Sequence, residues 1–267
     1  MPAGSSTPTP LPWRDRAPIL LALIGVAAVS WLYLLHLARN GMGGMESMPD
    51  MPDMAAMGPM AMPWTAVDFA LMFAMWWVMM TGMMLPSASP MILLFAAVNR
   101  RKRERGEAFV PTFLFSTGYL LAWGGFSLMA TLAQWGLERG ALLSPTLKTG
   151  NALVAGALWI AAGLYQWTPL KRACLANCRS PLDFVLNHWY DGRVGALRMG
   201  VEHGTYCLGC CWALMALLFV VGVMDLIWVA AIAAFVSAEK LFPGGQWIAR
   251  ASGVLMIGFG AYLLASA

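Results

Sequence analysis

Charged residues are scarce in this 267-residue chain. They make up 11% of the sequence, whereas hydrophobic residues make up 60%. Soluble domains carry about 25% charged residues, so this deficit excludes an ordinary soluble protein. One membrane span needs about 20 apolar residues, and the length therefore suits a polytopic bundle of about seven spans. We predict an all-α, integral membrane protein.

Two further absences narrow the function. The sequence has no phosphate-binding loop and no phosphorylation-loop signature, so we expect no nucleotide cofactor and no transport driven by ATP. The net charge is only +4, and the basic residues lie between apolar segments, where they set topology. Nucleic acid is therefore not an expected partner. Five cysteines are an odd number, which argues against a complete disulfide framework.

Polar stretches divide the chain into seven apolar segments. Residues 1–17 are rich in Pro, Ser and Thr and are predicted to form a disordered tail, while residues 38–63 form a Met-rich loop. Residues 64–267 are predicted to form a six-helix transmembrane metal-binding domain. The predicted spans, of which the second is interrupted near Pro86, are 18–37, 64–95, 113–135, 151–167, 198–223, 225–242 and 247–265.

The first span has an alternative interpretation as a cleaved signal peptide. We favour a retained helix, because the apolar run is long and no small-residue cleavage site follows it. With the N-terminus in the cytoplasm, only Arg39, Arg139 and Lys148 of the 17 basic residues lie outside. The positive-inside rule then supports seven spans with the N-terminus inside and the C-terminus outside, and the expected location is an inner (plasma) membrane, that of a bacterium. The Met-rich loop would face the periplasm.

The fifth span carries most of the chemistry. Its residues His203, Cys207, Cys210 and Cys211 stand at i, i+4, i+7 and i+8, which is one helix face. Ionisable side chains at membrane depth are costly and usually mark a site. Thiolates suit Cu(I), Zn or Fe–S centres, and imidazole suits Zn, Cu, Fe and Ni. We predict half of a soft-metal site, although a single buried Cys can simply pack as a small hydrophobe.

The second span is the predicted neighbour of the fifth. The small residues Gly200 and Gly204 allow a neighbouring helix to approach the fifth span closely. This approach either brings further metal ligands or serves packing alone. Methionine sulfurs of the second span, combined with Cys and His, would form a set of soft ligands that favours Cu(I). A stripe of Met along a helix often serves only packing, however. Asp68 either joins this site or sits at the interface. The candidate ligands from this span are Asp68, Met79, Met80, Met83 and Met84.

The outer loop repeats methionine at every third position. Thioethers have no proton to lose, so the loop could collect Cu(I) at any pH; the alternative is a low-complexity linker. The repeated residues are Met42, Met45, Met48, Met51, Met54, Met57 and Met60.

A second pair of cysteines lies between the fourth and fifth spans, in a stretch predicted to be a polar loop. Cys174 and Cys178 lie near Lys171, Arg172 and Arg179, and such cations lower thiol pKa values. On the reducing cytosolic side a lasting disulfide is disfavoured. The pair could dock or release metal, or could be two free thiols.

Two adjacent ionisable residues end the sixth span. Glu239 and Lys240 are predicted to form an ion pair, within the helix or within the bundle, with a structural role.

Four motifs resemble a bacterial family of uncharacterised, predicted metal-binding integral membrane proteins. They are WWVMMTGMMLPSASPM (76–91), YQWTPLKRACLANCR (165–179), GVEHGTYCLGCCWALM (200–215) and AEKLFPGG (238–245). The resemblance covers residues 64–265. It implies a polytopic membrane protein that binds a metal, with His203, Cys207, Cys210 and Cys211 as candidate ligands. It implies no particular activity.

Three functions remain open from the sequence. The first is handling or transport of a soft transition metal, with Cu(I) favoured by the sulfur ligands, and with a metal-delivering or metal-receiving protein as partner. The second is a membrane thiol-redox enzyme that uses the intramembrane cysteines. The third is an assembly factor that delivers metal to another protein.

Overall fold

The computed structural model describes residues 11–40, 64–139 and 152–266. These residues are helical, without a strand among them, and the predicted all-α fold is confirmed. The Met-rich repeat lies outside the described residues. The helices are α1 (Trp13–Asn40), α2 (Ala66–Met84), α3 (Ser89–Glu104), α4 (Thr112–Arg139), α5 (Ala152–Tyr165), α6 (Pro169–Arg179), α7 (Pro181–Asn187), α8 (Gly192–Ala216), α9 (Leu218–Val221), α10 (Leu226–Leu241) and α11 (Gly245–Ala265).

Five helical segments among the described residues are long and apolar enough to cross a membrane. They are α1, α2, α4, α8 together with α9, and α11. The predicted fourth and sixth spans correspond to α5 and α10, which have 14 and 16 residues. Both are shorter than the roughly 20 residues of a full span. The bundle therefore combines full-length and shorter apolar helices.

The first two predicted boundaries are refined by the structure. Helix α1 begins at Trp13, so residues 13–17, predicted as part of the disordered tail, are helical. Asp15 in the first turn favours this start, because an acidic side chain interacts well with a helix N-terminus. The break near Pro86 is confirmed, since α2 ends at Met84 and a 3-10 turn, Pro86–Ala88, leads into α3.

The closest helix pair in the bundle is α4 with α8. A Cβ atom on Gly200 would lie 2.1 Å from the carbonyl oxygen of Phe115, and one on Gly118 would lie 2.1 Å from that of Leu197. Only glycine allows the two backbones to touch in this way. The close approach predicted at Gly200 is confirmed, but the prediction that the second span is the direct neighbour is wrong. Gly118 of α4 supplies the complementary notch.

The segment predicted as a polar loop instead forms α6 and α7. Thr168 caps α6 by accepting a hydrogen bond from the Lys171 backbone N–H. Helix α6 then packs against α8, so closely that a Cβ atom on Gly209 would lie 2.5 Å from Cys174 Sγ. The chain therefore folds back into the bundle, because α6 has a buried face despite its many charges.

Candidate metal centre

The sulfur of Cys207 is the centre of a buried cluster. Its Sγ lies 2.9 Å from Lys240 Nζ, which comes from α10, and 3.1 Å from the Tyr119 hydroxyl, which comes from α4. All three side chains are at most 7% exposed. An adjacent ammonium group stabilises a thiolate, and a thiolate is the form of cysteine that binds metals. Side chains from three helices, α4, α8 and α10, thus meet at one sulfur.

Cys178 on α6 joins the cysteines of α8. Its Sγ lies 4.0 Å from Cys210 Sγ, and its thiol also interacts with Cys207. Hydrogen bonds to these two sulfurs raise the pKa of the Cys178 thiol well above its usual value. A zinc–sulfur bond is about 2.3 Å long, so sulfurs that share one such ion lie at most about 4.6 Å apart. The Cys178–Cys210 spacing therefore fits a shared soft metal ion.

The two remaining cysteines lie next to this group. Cys211 on α8 is completely buried, and its thiol donates a hydrogen bond to the Cys207 carbonyl, as does the thiol of Cys210. The Cys174 sulfur instead touches Gly209, and burial raises the pKa of its thiol. Their predicted metal role stays a prediction.

His203 lies one helical turn before Cys207. Together with Cys178, Cys207 and Lys240 it lines a crevice that is too narrow to hold a water molecule. The imidazole is 3% exposed, packs edge-on against Phe184 and has no hydrogen-bond partner for Nδ1. A buried polar atom without a partner is unfavourable, so this nitrogen is suited to bind a metal ion. The structure thus brings His203 and Cys207 to one space.

The methionines of α2 are buried as a group. Met79, Met80, Met83 and Met84 are at most 2% exposed. The carbonyl of Met84 accepts a hydrogen bond from the Tyr119 hydroxyl, which also contacts the Cys207 sulfur. The end of α2 is therefore one side chain away from the cysteine cluster. A direct metal role for these four methionines stays a prediction.

Asp68 lies at the start of α2, away from the cysteine sulfurs. It forms a capping box with Thr65 at the start of α2, on an exposed part of the helix. With a rise of 1.5 Å per residue, this position is about 24 Å along α2 from Met84. The carboxylate satisfies the first turn of the helix, and the structure does not bring Asp68 to the sulfurs.

Of the two predicted alternatives for Glu239 and Lys240, the structure shows an ion pair within the bundle and none between these two residues. Adjacent helical residues point about 100° apart, and Glu239 binds Lys171 of α6 with a nitrogen–oxygen distance of 2.7 Å. Lys240 turns to Cys207 instead. The prediction of a bundle ion pair holds for Glu239 alone. One sequence signal could have revealed Lys240: no acidic residue lies three or four positions away from it.

The cluster is not a closed coordination shell. Within residues 11–40, 64–139 and 152–266, no three His, Cys, Asp and Glu side chains are arranged as a preformed metal site. The sulfurs of Cys178 and Cys210 approach each other as a pair, with Cys207 beside them.

Comparison with known protein families identifies the relationship. The family model described as PpoB2, a copper chaperone, matches residues 73–263. The chain belongs to the PpoB2 copper chaperone family. The match includes every residue of the cysteine cluster and excludes α1 and the Met-rich loop. The predicted link to copper is confirmed at the level of the family. No curated protein and no solved structure matches the chain.

Proposed function

We propose that this protein is an integral membrane copper chaperone that holds Cu(I) between the sulfurs of Cys178, Cys207 and Cys210. The observation that carries this proposal is the 4.0 Å approach of Cys178, on α6, to Cys210, on α8. These residues are 32 positions apart, and only the packing of α6 against α8 unites them. Sulfur ligands favour soft ions such as Cu(I), and the family is described as a copper chaperone.

Charge supports the choice of sulfur ligands. Copper displaces thiol protons when it binds, so the thiolates need compensation in a buried site. Lys240 provides a positive charge at 2.9 Å from Cys207, and the Cu(I) ion provides a second. Three thiolates, one Cu(I) ion and the Lys240 ammonium group together carry a net charge of −1 instead of −2, which lowers the cost of burying this site away from water.

Delivery follows from the position of Cys178. Its side chain is only partly buried in the protein surface, whereas Cys207 and Cys210 are at most 2% exposed. A sulfur of an acceptor protein can approach the Cu(I) ion from this side and bond to it. One cysteine sulfur of the chaperone then leaves the copper and takes up a proton. Copper remains Cu(I) throughout, so no electron donor is needed.

The membrane setting rests on the apolar helices. Five segments are long enough to span a bilayer, and the distribution of Lys and Arg favours a cytoplasmic N-terminus and an outer C-terminus. In this arrangement the Met-rich loop collects Cu(I) outside the bacterial inner membrane. The buried methionines of α2 and Cys211 then lie on the outer side of the cysteine cluster as secondary ligands, and His203, one turn before Cys207 on α8, lies on its cytosolic side.

Copper binding by the purified protein tests the proposal. Anaerobic titration in detergent against a chromophoric Cu(I) chelator should give about one tightly bound Cu(I) per chain. X-ray absorption should show sulfur ligands. Replacing Cys178, Cys207 or Cys210 by Ser should weaken binding at least 10-fold, whereas Cys174→Ser on the same helix is the matched control and should bind normally. Equal affinities for all four variants would refute the cluster.

The cysteine spacing also supports a second function, thiol–disulfide exchange. Cys178 and Cys210 need a movement of about 2 Å to form a sulfur–sulfur bond. The oxidant would be a disulfide of a partner protein, which accepts the two electrons and two protons lost by the two thiols. Mass spectrometry after exposure to a disulfide reagent distinguishes the functions. In a chaperone, Cys178 and Cys210 bind Cu(I) and form no disulfide with each other while the metal is present.

A further inference from the structure

Lys240 differs from the other buried cation of the cluster region. Lys171 and Glu239 form an ion pair in which each side chain is 1% exposed, so their charges cancel. Lys240 is 7% exposed, contacts Cys207 Sγ at 2.9 Å and Ser87 Oγ at 3.2 Å, and forms no ion pair with a carboxylate among the described residues. Its charge is therefore directed at the sulfurs.

This charge acts on the metal as well as on the thiolate. Lys240 Nζ lies 2.9 Å from the Cys207 sulfur, and a metal bonded to the other side of that sulfur lies about 2.3 Å beyond it. The ammonium and the metal ion are then about 5 Å apart. Coulomb repulsion is proportional to ionic charge, so a divalent ion is repelled twice as strongly as a monovalent ion. The attraction of Lys240 for the thiolates is the same in both cases.

Building on the proposed copper cluster, we propose that Lys240 is a specificity-determining residue. It makes the cluster select monovalent soft cations, Cu(I) and Ag(I), over divalent ions that also bind thiolates, such as Zn(II). At about 5 Å and an effective dielectric constant of about 20, one additional unit of repelled charge changes the affinity ratio roughly 100-fold. The selection comes from a fixed charge beside the ligands and needs no difference in the ligands themselves.

Relative affinities test this role more sharply than absolute affinities. Ag(I) and Zn(II) binding should be measured by chelator competition for the wild-type protein, Lys240→Met and Lys240→Arg. Lys240→Met should lower the ratio of Ag(I) to Zn(II) affinity about 100-fold, whereas Lys240→Arg, which keeps the charge, should retain it. Ser87→Ala is the matched control, because it removes the other contact of Lys240 and leaves the charge. General loosening of the site would weaken both metals and leave the ratio unchanged.

The outcomes separate this inference from the copper cluster itself. Lys240→Gln provides a second neutral variant if Lys240→Met does not fold, as judged by its helical circular dichroism. An unchanged affinity ratio in a folded neutral variant overturns the role of Lys240, while normal wild-type Ag(I) binding still supports the cluster. Wild-type protein that binds neither Cu(I) nor Ag(I) overturns the proposed function, and the selectivity with it.

Discussion

Two lysines buried near α10 show how similar environments lead to different roles. Lys171 reaches from α6 to both carboxylate oxygens of Glu239, at 2.7 and 3.0 Å. Lys240, the next residue after Glu239, points to a sulfur and a hydroxyl. The Lys171–Glu239 pair is electrically neutral and joins α6 to α10. The contacts of Lys240 leave its positive charge facing side chains that are able to bind a metal.

Glu239 and Lys240 are adjacent residues of α10, yet the first contributes to stability and the second to the proposed metal site. A satisfied ion pair has no free capacity to interact with a ligand, and its main effect is to hold α6 in place. Lys240, in contrast, lies beside a cysteine sulfur. Its positive charge therefore acts on that sulfur and on any metal ion that replaces the thiol proton. The comparison therefore assigns Lys171 and Glu239 to the scaffold, and Lys240 to the proposed copper site.

The largest expected effect comes from breaking the Lys171–Glu239 ion pair. Glu239→Gln leaves the Lys171 charge buried without compensation and should destabilise the protein by about 3–5 kcal/mol. Thermal unfolding in detergent, followed by circular dichroism, measures this loss. The double variant Lys171→Met/Glu239→Met removes both charges and should recover most of the stability. A double variant as unstable as the single one would show that the pair itself contributes net stability.

A smaller effect should follow from changing the distance between α6 and α8. Gly209→Ala places a Cβ atom 2.5 Å from Cys174 Sγ and 3.3 Å from its Cβ, so the Cys174 side chain or α6 must shift, and a shift of α6 carries Cys178 away from Cys210. Overpacking of this kind costs about 1–3 kcal/mol, and we expect about 10-fold weaker Cu(I) binding. Chelator competition measures the affinity.

The matched rescue for this change is the double variant Gly209→Ala/Cys174→Ala. Removing the Cys174 sulfur makes room for the new methyl group, so Cu(I) affinity should return close to the wild-type value. Rescue would show that Cys174 sets the helix spacing without binding copper. If the double variant binds Cu(I) more weakly than Gly209→Ala alone, then Cys174 is itself a ligand.

Replacing Lys240 should affect stability less than replacing Glu239. Lys240→Met removes a buried charge and keeps a flexible side chain of similar volume, so we expect a stability change of at most about 1.5 kcal/mol without metal. Thermal unfolding of the metal-free protein, compared with Glu239→Gln under the same conditions, provides the measurement. A loss as large as that of Glu239→Gln would make Lys240 part of the scaffold as well.

Helical periodicity explains which parts of the site could be predicted from sequence. His203, Cys207, Cys210 and Cys211 lie on one helix, where spacing alone determines which residues share a face. The partners from other helices could not be found in this way. Cys178, Lys240 and Tyr119 are 32 to 88 positions from the cysteines they meet, and helix packing determines these contacts.

The fold was predictable to a similar extent and for the same reason. Long apolar runs revealed the full-length spans, and Pro86 revealed the break after α2. Helix α6 was missed because it is short and rich in basic residues, which is typical of a cytosolic loop. Its buried face consists of Lys171, Cys174 and Leu175, and a lysine there is tolerated only because Glu239 lies opposite. No local pattern contains that information.

The smallest expected effect concerns Asp68, which the sequence placed among the candidate ligands. Asp68→Ala removes half of the capping box at the start of α2 and should cost about 0.5–1 kcal/mol. Cu(I) affinity at the cysteine cluster should not change, because Asp68 is about 24 Å along α2 from Met84. Parallel thermal unfolding and chelator competition measure both quantities. Asp68→Asn, which retains an acceptor for the Thr65 backbone N–H, is the control and should lose less stability than Asp68→Ala. A clear loss of Cu(I) affinity in both variants would instead show that Asp68 contributes to copper binding.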